Sequence, residues 1–236
     1  MHDTALSYEN FTEERQRKVL EQLKNKDAMD IIKWAYDTFA DDLIYACSFG
    51  AEGIVLIDLI SKIEPRAQIL FLDTHLHFYE TYKVISAVKE RYPLLHIQMI
   101  EPELSLAEQA EMHGDQLWRK NPDLCCRLRK VEPLKRALYG RKAWMSGLRR
   151  EQSETRARIQ YVNKDDKFHS IKICPLIHWT WEDIWNYIRT FQLPYNELHD
   201  RSYPSIGCEP CTQPAAGDSR TGRWMGHGKT ECGLHS

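Results

Sequence analysis

No run of apolar residues in the sequence approaches the roughly 20 needed to span a bilayer, and no segment repeats or falls into low complexity. The amino terminus, Met1-His2-Asp3-Thr4-Ala5, lacks both the basic and the apolar stretch of a secretory leader. The expectation is a cytoplasmic protein without a membrane partner. Charge of one sign is also scarce. The formal net charge is −2, which argues against a general nucleic-acid binder. Neither a Walker A loop nor a G-x-G-x-x-G fingerprint is present. Glycine is sparse until the end of the chain, where residues 207–236 hold six of the 11 (207, 217, 222, 226, 228 and 233).

Against these absences, 42% of the 236 residues are hydrophobic, enough for a packed core. Ile31, Ile32, Ala35, Tyr36 and Phe39 recur at helical spacing. Short apolar runs at 43–47, 68–72, 95–100 and 143–146 read as strands, and 54–63 and 78–91 read as the helices between them. Further helices are expected near 104–113 and 126–139, the second kinked or cut by Pro133. A strand pair is expected at 159–163 and 168–173, then a helix opened by the capping box Thr180-Trp181-Glu182-Asp183. Alternating strands and helices predict an α/β fold, a mostly parallel sheet with helices on both faces and ligands bound beyond the carboxyl ends of the strands. Residues 1–206 form the expected domain; 207–236 read as a mobile tail rather than a second domain.

The cysteine count is seven, an odd number. In a reducing compartment such thiols serve metals or chemistry more often than disulfides. Cys125-Cys126 together with Cys208-Glu209-Pro210-Cys211 offers four thiols in two close pairs, a set that suits zinc or an iron–sulfur cluster. Adjacent helical residues point about 100° apart, so both can reach one ligand only where the backbone bends. Two iron corners of a cluster ease that geometry, whereas a single zinc would draw both sulfurs to one atom. Cys47 and Cys174 lie in apolar runs and read as core, as do the tryptophans near 179–185. His75 and His77 read as packing or supporting residues.

Cys232 stands beyond the glycine-rich segment, five residues from the end, poorly placed for packing and well placed to visit a site. Nearby cations favour the reactive thiolate, and Lys229 and His235 are candidates. Residues 127–158 carry 11 Lys/Arg against three Asp/Glu. Lys135, Arg136, Arg141 and Lys142 read as solvated surface. Arg149, Arg150, Arg156 and Arg158, after the fourth strand, are better matched to a polyanion, whose oxygens fit guanidinium forks. Ser48-Phe49-Gly50-Ala51-Glu52-Gly53 lies between the first strand and its helix, where small residues let backbone N–H groups approach an anion. Glu52 sits awkwardly beside a triphosphate, so a less charged anion fits better.

Taken in order along nearly the whole chain, these motifs resemble the assimilatory adenylyl-sulfate/phosphoadenylyl-sulfate reductase family. The most specific parts are Cys125-Cys126, Cys208-x-x-Cys211 and Glu231-Cys232-Gly233-Leu234-His235; Ser48-Phe49-Gly50, Leu72-Asp73-Thr74, Gly147-Leu148-Arg149-Arg150 and Gly222-Arg223-Trp224 support them. The resemblance implies a fold like the ATP-pyrophosphatase group of adenine-nucleotide alpha-hydrolases, with a modified phosphate loop over 48–53. It implies a [4Fe–4S] cluster on Cys125, Cys126, Cys208 and Cys211, and adenosine 5′-phosphosulfate as substrate. Ser-Phe-Gly in place of Ser-Gly leaves use of the 3′-phosphorylated form open.

The implied chemistry is attack of the Cys232 thiolate on the substrate sulfur, departure of AMP and an S-sulfocysteine on the tail. With no resolving cysteine beside Cys232, a thioredoxin or glutaredoxin-like thiol must release sulfite. By the same resemblance Lys130, Arg156, Arg220 and Arg223 neutralise sulfate and phosphate, His235 holds the tail, and Leu72, Asp73, Thr74 and Gly147 face the nucleoside; a homo-oligomer is left open. One rival is an ATP-dependent adenylating or thiolating enzyme of the same fold with structural zinc, which would need a triphosphate loop and magnesium ligands not found here. A second is a non-catalytic, metal-stapled nucleotide or RNA binder, in which Cys232 would be dispensable.

Overall fold

The computed structural model describes residues 5–216, 220–224, 226–229 and 231–235. Helices α1 (Glu13–Leu23) and α2 (Ala28–Phe39) lead into the sheet. Asp27 caps α2 by accepting the Asp30 N–H at 2.8 Å, and Ile31, Ile32, Ala35 and Phe39 are buried. Six strands follow: β1 (Leu43–Cys47), β2 (Gln68–Leu72), β3 (His96–Ile100), β4 (Ala143–Met145), β5 (Val162–Asp165) and β6 (Ser170–Ile173), in the spatial order β3-β2-β1-β4-β6-β5. All pairings are parallel except the edge pair β5–β6.

The period of two along each strand sorts the side chains to two faces. Leu43, Tyr45, Cys47, Ile69, Phe71, Ala143 and Met145 join the larger core under α2, α3 (Ala51–Ser61), α4 (Tyr79–Arg91) and α9 (Trp181–Thr190). Ile44, Leu70 and Trp144 face the other way, onto Leu134 and Leu138. Helix α3 is buried nearly all round, between the sheet and α9, which is why its sequence Ile54–Ile60 lacks an amphipathic pattern. The Thr180 capping box of α9 forms as its sequence predicts.

After β3 come α5 (Leu106–His113), α6 (Leu117–Lys120), α7 (Pro122–Cys126), a π-helical turn at Arg127–Val131 and α8 (Glu132–Ala137), the last of which covers the opposite face. The single helix expected over 126–139 is thus divided, but not by Pro133. That residue sits in the first turn of α8, where its missing N–H is tolerated. The break is the π turn directly after Cys125 and Cys126. Among the described residues no helix is long and apolar enough to cross a membrane.

Asp58 is the one acid buried within α3. Lys62 Nζ, Tyr92 Oη and Tyr187 Oη each lie 2.7 Å from its carboxylate. Burial alone would raise its pKa, but these donors hold it below the usual value. Such a group stabilises the fold fully above the unfolded pKa of about 3.9, and its contribution is lost as pH falls through the lower folded pKa. Asp58→Asn is therefore expected to lower the urea midpoint at pH 7 and to flatten its decline below about pH 4; denaturation curves across that range measure both.

Candidate active site

Strand β1 continues to β2 on one side and is flanked by β4 on the other, so a crevice opens between the carboxyl ends of β1 and β4. Cys47 ends β1, and its Sγ accepts the Phe49 N–H at 3.2 Å. Phe49 takes a left-handed φ of 53°, and Gly50 starts α3 without a side-chain cap, leaving the first-turn N–H groups beside the crevice. A Cβ at Gly53 would stand 2.9 Å from Cys47 Sγ, so glycine lets α3 close against β1. Burial pushes the Cys47 thiol up to about 12, as expected of a core cysteine.

Of the residues expected to carry substrate or catalysis, Ser48, Phe49, Gly50, Leu72, Lys130, Gly147, Arg156, Arg220, Arg223, Cys232 and His235 all line this crevice. Asp73 and Thr74, expected to face the nucleoside, lie outside it. Asp73 accepts Tyr82 O–H at 2.7 Å and the His75 N–H at 2.9 Å. Thr74 turns toward the cysteines, with Oγ1 3.2 Å from Cys208 Sγ and its carbonyl accepting Arg129 Nε at 2.8 Å. His77 donates Nε2–H to the Leu72 carbonyl at 3.0 Å and packs on Phe71; burial and then Lys130 push its pKa down to about 4. His75 stands 3.4 Å from Glu101.

The arginines after β4 divide in a way their spacing does not reveal. Arg149 is clamped by Glu52 at 2.9 Å and Glu151 at 2.6 Å, so the acid that looked misplaced beside an anion is already neutralised. Arg150 donates to the Ile159 carbonyl and Gln160, and Arg158 is exposed. Arg156 alone of the four presents its guanidinium to the tail: Nε and Nη2 reach the Glu231 carboxylate at 2.8 and 2.7 Å.

Residues 231–235 are docked into the crevice. Leu234 packs against the small-face core, and the His235 ring stacks on Trp144 at 5.9 Å with 10° between planes. Burial and the neighbouring Arg156 hold His235 neutral, and Lys229 is paired with Asp123. The two cations expected beside the nucleophile are therefore replaced by others. Burial would push the Cys232 thiol up; Lys130, the Leu234 N–H, Arg220 and Arg223 outweigh it and hold the thiol below its usual value. Glu231, Gln152, Trp181 and His199 also line or shape the crevice. Of these only Glu231 had a sequence signal, as an acid beside the nucleophile in a chain with a basic cluster.

Behind Lys130, Arg223 and Trp224 lies a second, smaller pocket lined by Cys125, Cys126, Cys208 and Cys211. The 208–211 loop is pinned to the chain after β2 through the His77–Cys208 bridge and Glu209 N–H to the Leu76 carbonyl at 2.7 Å. None of the seven cysteines is paired in a disulfide. Burial, then the neighbouring thiols, push Cys125 up to about 12 and Cys211 to about 11. Arg129 Nη2 and Trp224 Nε1, buried in the same wall, have no acceptor among the described residues. Four soft donors facing idle N–H groups are compatible with a metal–sulfur cluster, whose sulfides would accept those hydrogen bonds.

An α/β sheet with a cationic crevice at its switch point is the arrangement of a nucleotide-binding enzyme, and here a cysteine enters that crevice. Residues 42–214 match the phosphoadenosine phosphosulfate reductase domain, and the chain belongs to that family of sulfur oxidoreductases. Adenosine 5′-phosphosulfate reductase of Geobacillus sp. (strain WCH70) is 62% identical over 232 residues, covering 98% of this chain and 99% of that protein. Adenosine 5′-phosphosulfate reductase 2 of Bacillus subtilis (strain 168) is 60% identical over 237 residues, covering 100% and 99%. The crystal structure of phosphoadenylyl-sulfate reductase from Candida auris, a phosphate complex, superposes with a TM-score of 0.75 at 34% identity over 86% of this chain and 98% of that one. FMN adenylyltransferase of Candida glabrata shares the fold alone, with a TM-score of 0.61 at 16% identity over 83% and 65%.

Two outcomes follow from this geometry. Lys130→Met should move the midpoint of Cys232 alkylation against pH upward from a wild-type value below the free-thiol figure of about 8.5. A Cβ at position 207 would fall 2.2 Å from Arg223 Nη2, so Gly207→Ala should displace that guanidinium and raise KM for the anionic substrate by roughly tenfold, the worth of one charge-assisted hydrogen bond, with the melting temperature little changed.

Proposed function

We propose that the chain reduces adenosine 5′-phosphosulfate to sulfite and AMP through an S-sulfocysteine on Cys232. The observation that carries this reading is the docked thiol beside Lys130, Arg220 and Arg223 in a crevice that also holds Ser48–Gly50 and Leu72. The thiolate attacks the sulfate sulfur, the S–O bond to AMP breaks, and the leaving phosphate takes the electron pair. Lys130, Arg220 and Arg223 meet the charge as it moves from thiolate to phosphate. Leu72 and Gly147 bound the nucleoside side, and the first turn of α3 faces the anion. A dithiol protein of the thioredoxin or glutaredoxin class then attacks the Cys232 sulfur and expels sulfite. Its second thiol closes the donor disulfide and restores Cys232, so sulfur gains two electrons and the donor loses two.

Cys125, Cys126, Cys208 and Cys211 would hold a [4Fe–4S] cluster. Two adjacent thiols at a helix bend reach two iron corners of a cluster more readily than one zinc atom, which favours a polynuclear centre. When bound, the cluster would supply a fixed charge distribution behind Lys130. The Glu52–Arg149 clamp withdraws an arginine from the phosphate loop, which leaves fewer cations there for the triphosphate that the ATP-dependent rival requires.

Anaerobically purified protein mixed with adenosine 5′-phosphosulfate and no reductant should carry one sulfite adduct, on Cys232, by mass spectrometry. Cys232→Ser should abolish adduct and sulfite while still binding the nucleotide. Iron and acid-labile sulfide in the same sample should each approach about four per chain. Zinc in their place, or sulfite production by Cys232→Ser, would overturn the corresponding half of the reading.

A further inference from the structure

Resting on the chemistry proposed for Cys232, we infer that Glu231 is the positioning residue that seats the nucleophile, and that Arg156 is its dedicated partner rather than a ligand of the substrate. Glu231 and Arg156 are among the few buried charged residues of the chain, 8% and 3% exposed. Their contact is a two-pronged fork, Nε to Oε1 at 2.8 Å and Nη2 to Oε2 at 2.7 Å. The third guanidinium nitrogen, Nη1, donates to Gln152 Oε1. Ser153 Oγ adds a donor to Oε1 at 3.3 Å, and Arg220 Nη2 stands 3.4 Å from Oε2.

The Nε–Nη2 edge of Arg156, the edge that could grip an oxyanion with two parallel bonds, is taken by Glu231 when the tail is in place. An oxyanion of the substrate could take that edge only by evicting Glu231, and with it the residue next in sequence, Cys232. A fork fixes both the distance and the plane of its partner. Glu231 directly precedes Cys232 in sequence, so the pair locates the thiol in the crevice that Lys130, Arg220 and Arg223 also line. The carboxylate also places negative charge beside an anionic substrate. Glu231 should therefore help the transfer step and oppose binding, a combination that a purely structural contact does not produce.

The test separates those two effects. Affinity for adenosine 5′-phosphosulfate is measured by calorimetry in a Cys232→Ser background, and adduct formation is followed by rapid quench in enzyme with Cys232 intact. Glu231→Gln is expected to bind the nucleotide as tightly as its parent or a fewfold more tightly. Its adduct should form about a hundredfold more slowly, the cost of misplacing a reacting atom by an ångström. Glu231→Asp, which keeps the charge on a shorter arm, should retain parental affinity with an intermediate rate. Arg156→Gln should match the slowed adduct rate of Glu231→Gln, with affinity within a fewfold of its parent, and the double variant should lose no further rate, as coupled partners do. A tenfold loss of affinity in Arg156→Gln, additive losses in the double variant, or a parental rate in Glu231→Gln would overturn the assignment. Absence of any adduct in the wild-type enzyme would instead count against the chemistry at Cys232, leaving the two failures distinct.

Discussion

Positive charge held where water is scarce is the constraint around which the rest of this molecule is arranged. Lys130, Arg156, Arg220 and Arg223 converge at the carboxyl edge of the sheet. Desolvation there is costly enough that Arg220 is pushed down to about 10 by burial and by Arg156. A buried cation persists only with partners, and the chain supplies them selectively. Arg149 is matched by Glu52 and Glu151, Arg156 by Glu231, and Arg129 by backbone carbonyls and Gln109. The charge of Lys130, Arg220 and Arg223 acts on the Cys232 thiol, and a site biased in that way attracts an anion.

The cysteine pocket belongs to the same arrangement. Lys130 sits on the π turn that follows Cys126 and lines both the crevice and the sulfur pocket. A regular α-helix would keep residues on a 100° step; the wider turn lets one short segment present thiols behind the wall and an ammonium through it. On the tail side, Arg223 donates Nε–H to the Cys211 carbonyl at 3.3 Å, and the Trp224 N–H does the same at 3.0 Å. Both cationic anchors of the crevice are therefore covalently or hydrogen-bond close to the four sulfurs.

Much of this was legible in the sequence, for identifiable reasons. Strand and helix alternation, the capping box at Thr180 and the buried run Ile54–Ile60 are local signals that tertiary packing did not override. The cysteine pairs and the tail thiol stood out because nothing in packing explains them. What the sequence hid was partnership. Four arginines after β4 look alike at their spacing, yet Arg149, Arg150 and Arg156 have three separate fates set by residues about 10 to 100 positions away. Asp73 and Thr74 sit next to Leu72 in a supporting motif, but the backbone turns after β2 and sends them to Tyr82 and Cys208. Lys229 and His235 were nearest to Cys232 in sequence, and each is spent elsewhere, on Asp123 and on Trp144. The tail itself, read from its glycines as mobile, is seated in the structure by the Glu231–Arg156 pair, by Leu234, by the stack of His235 on Trp144 and by Lys167 Nζ donating to the Gly233 carbonyl at 2.7 Å.

That modest seat fits what the proposed cycle asks of the nucleophile. Transfer needs the thiol enclosed among cations, where charge moves without water; release needs the same sulfur reachable by a protein thiol, which no crevice of this depth admits. A cysteine on a rigid strand could satisfy only one demand. A buried ion pair gains little net free energy, because desolvation offsets most of its attraction, and one partly buried leucine adds about 1.5–3 kcal/mol at most. A seat built of several such contributions fixes geometry while it holds and can be given up contact by contact when the proposed cycle needs the sulfur outside the crevice.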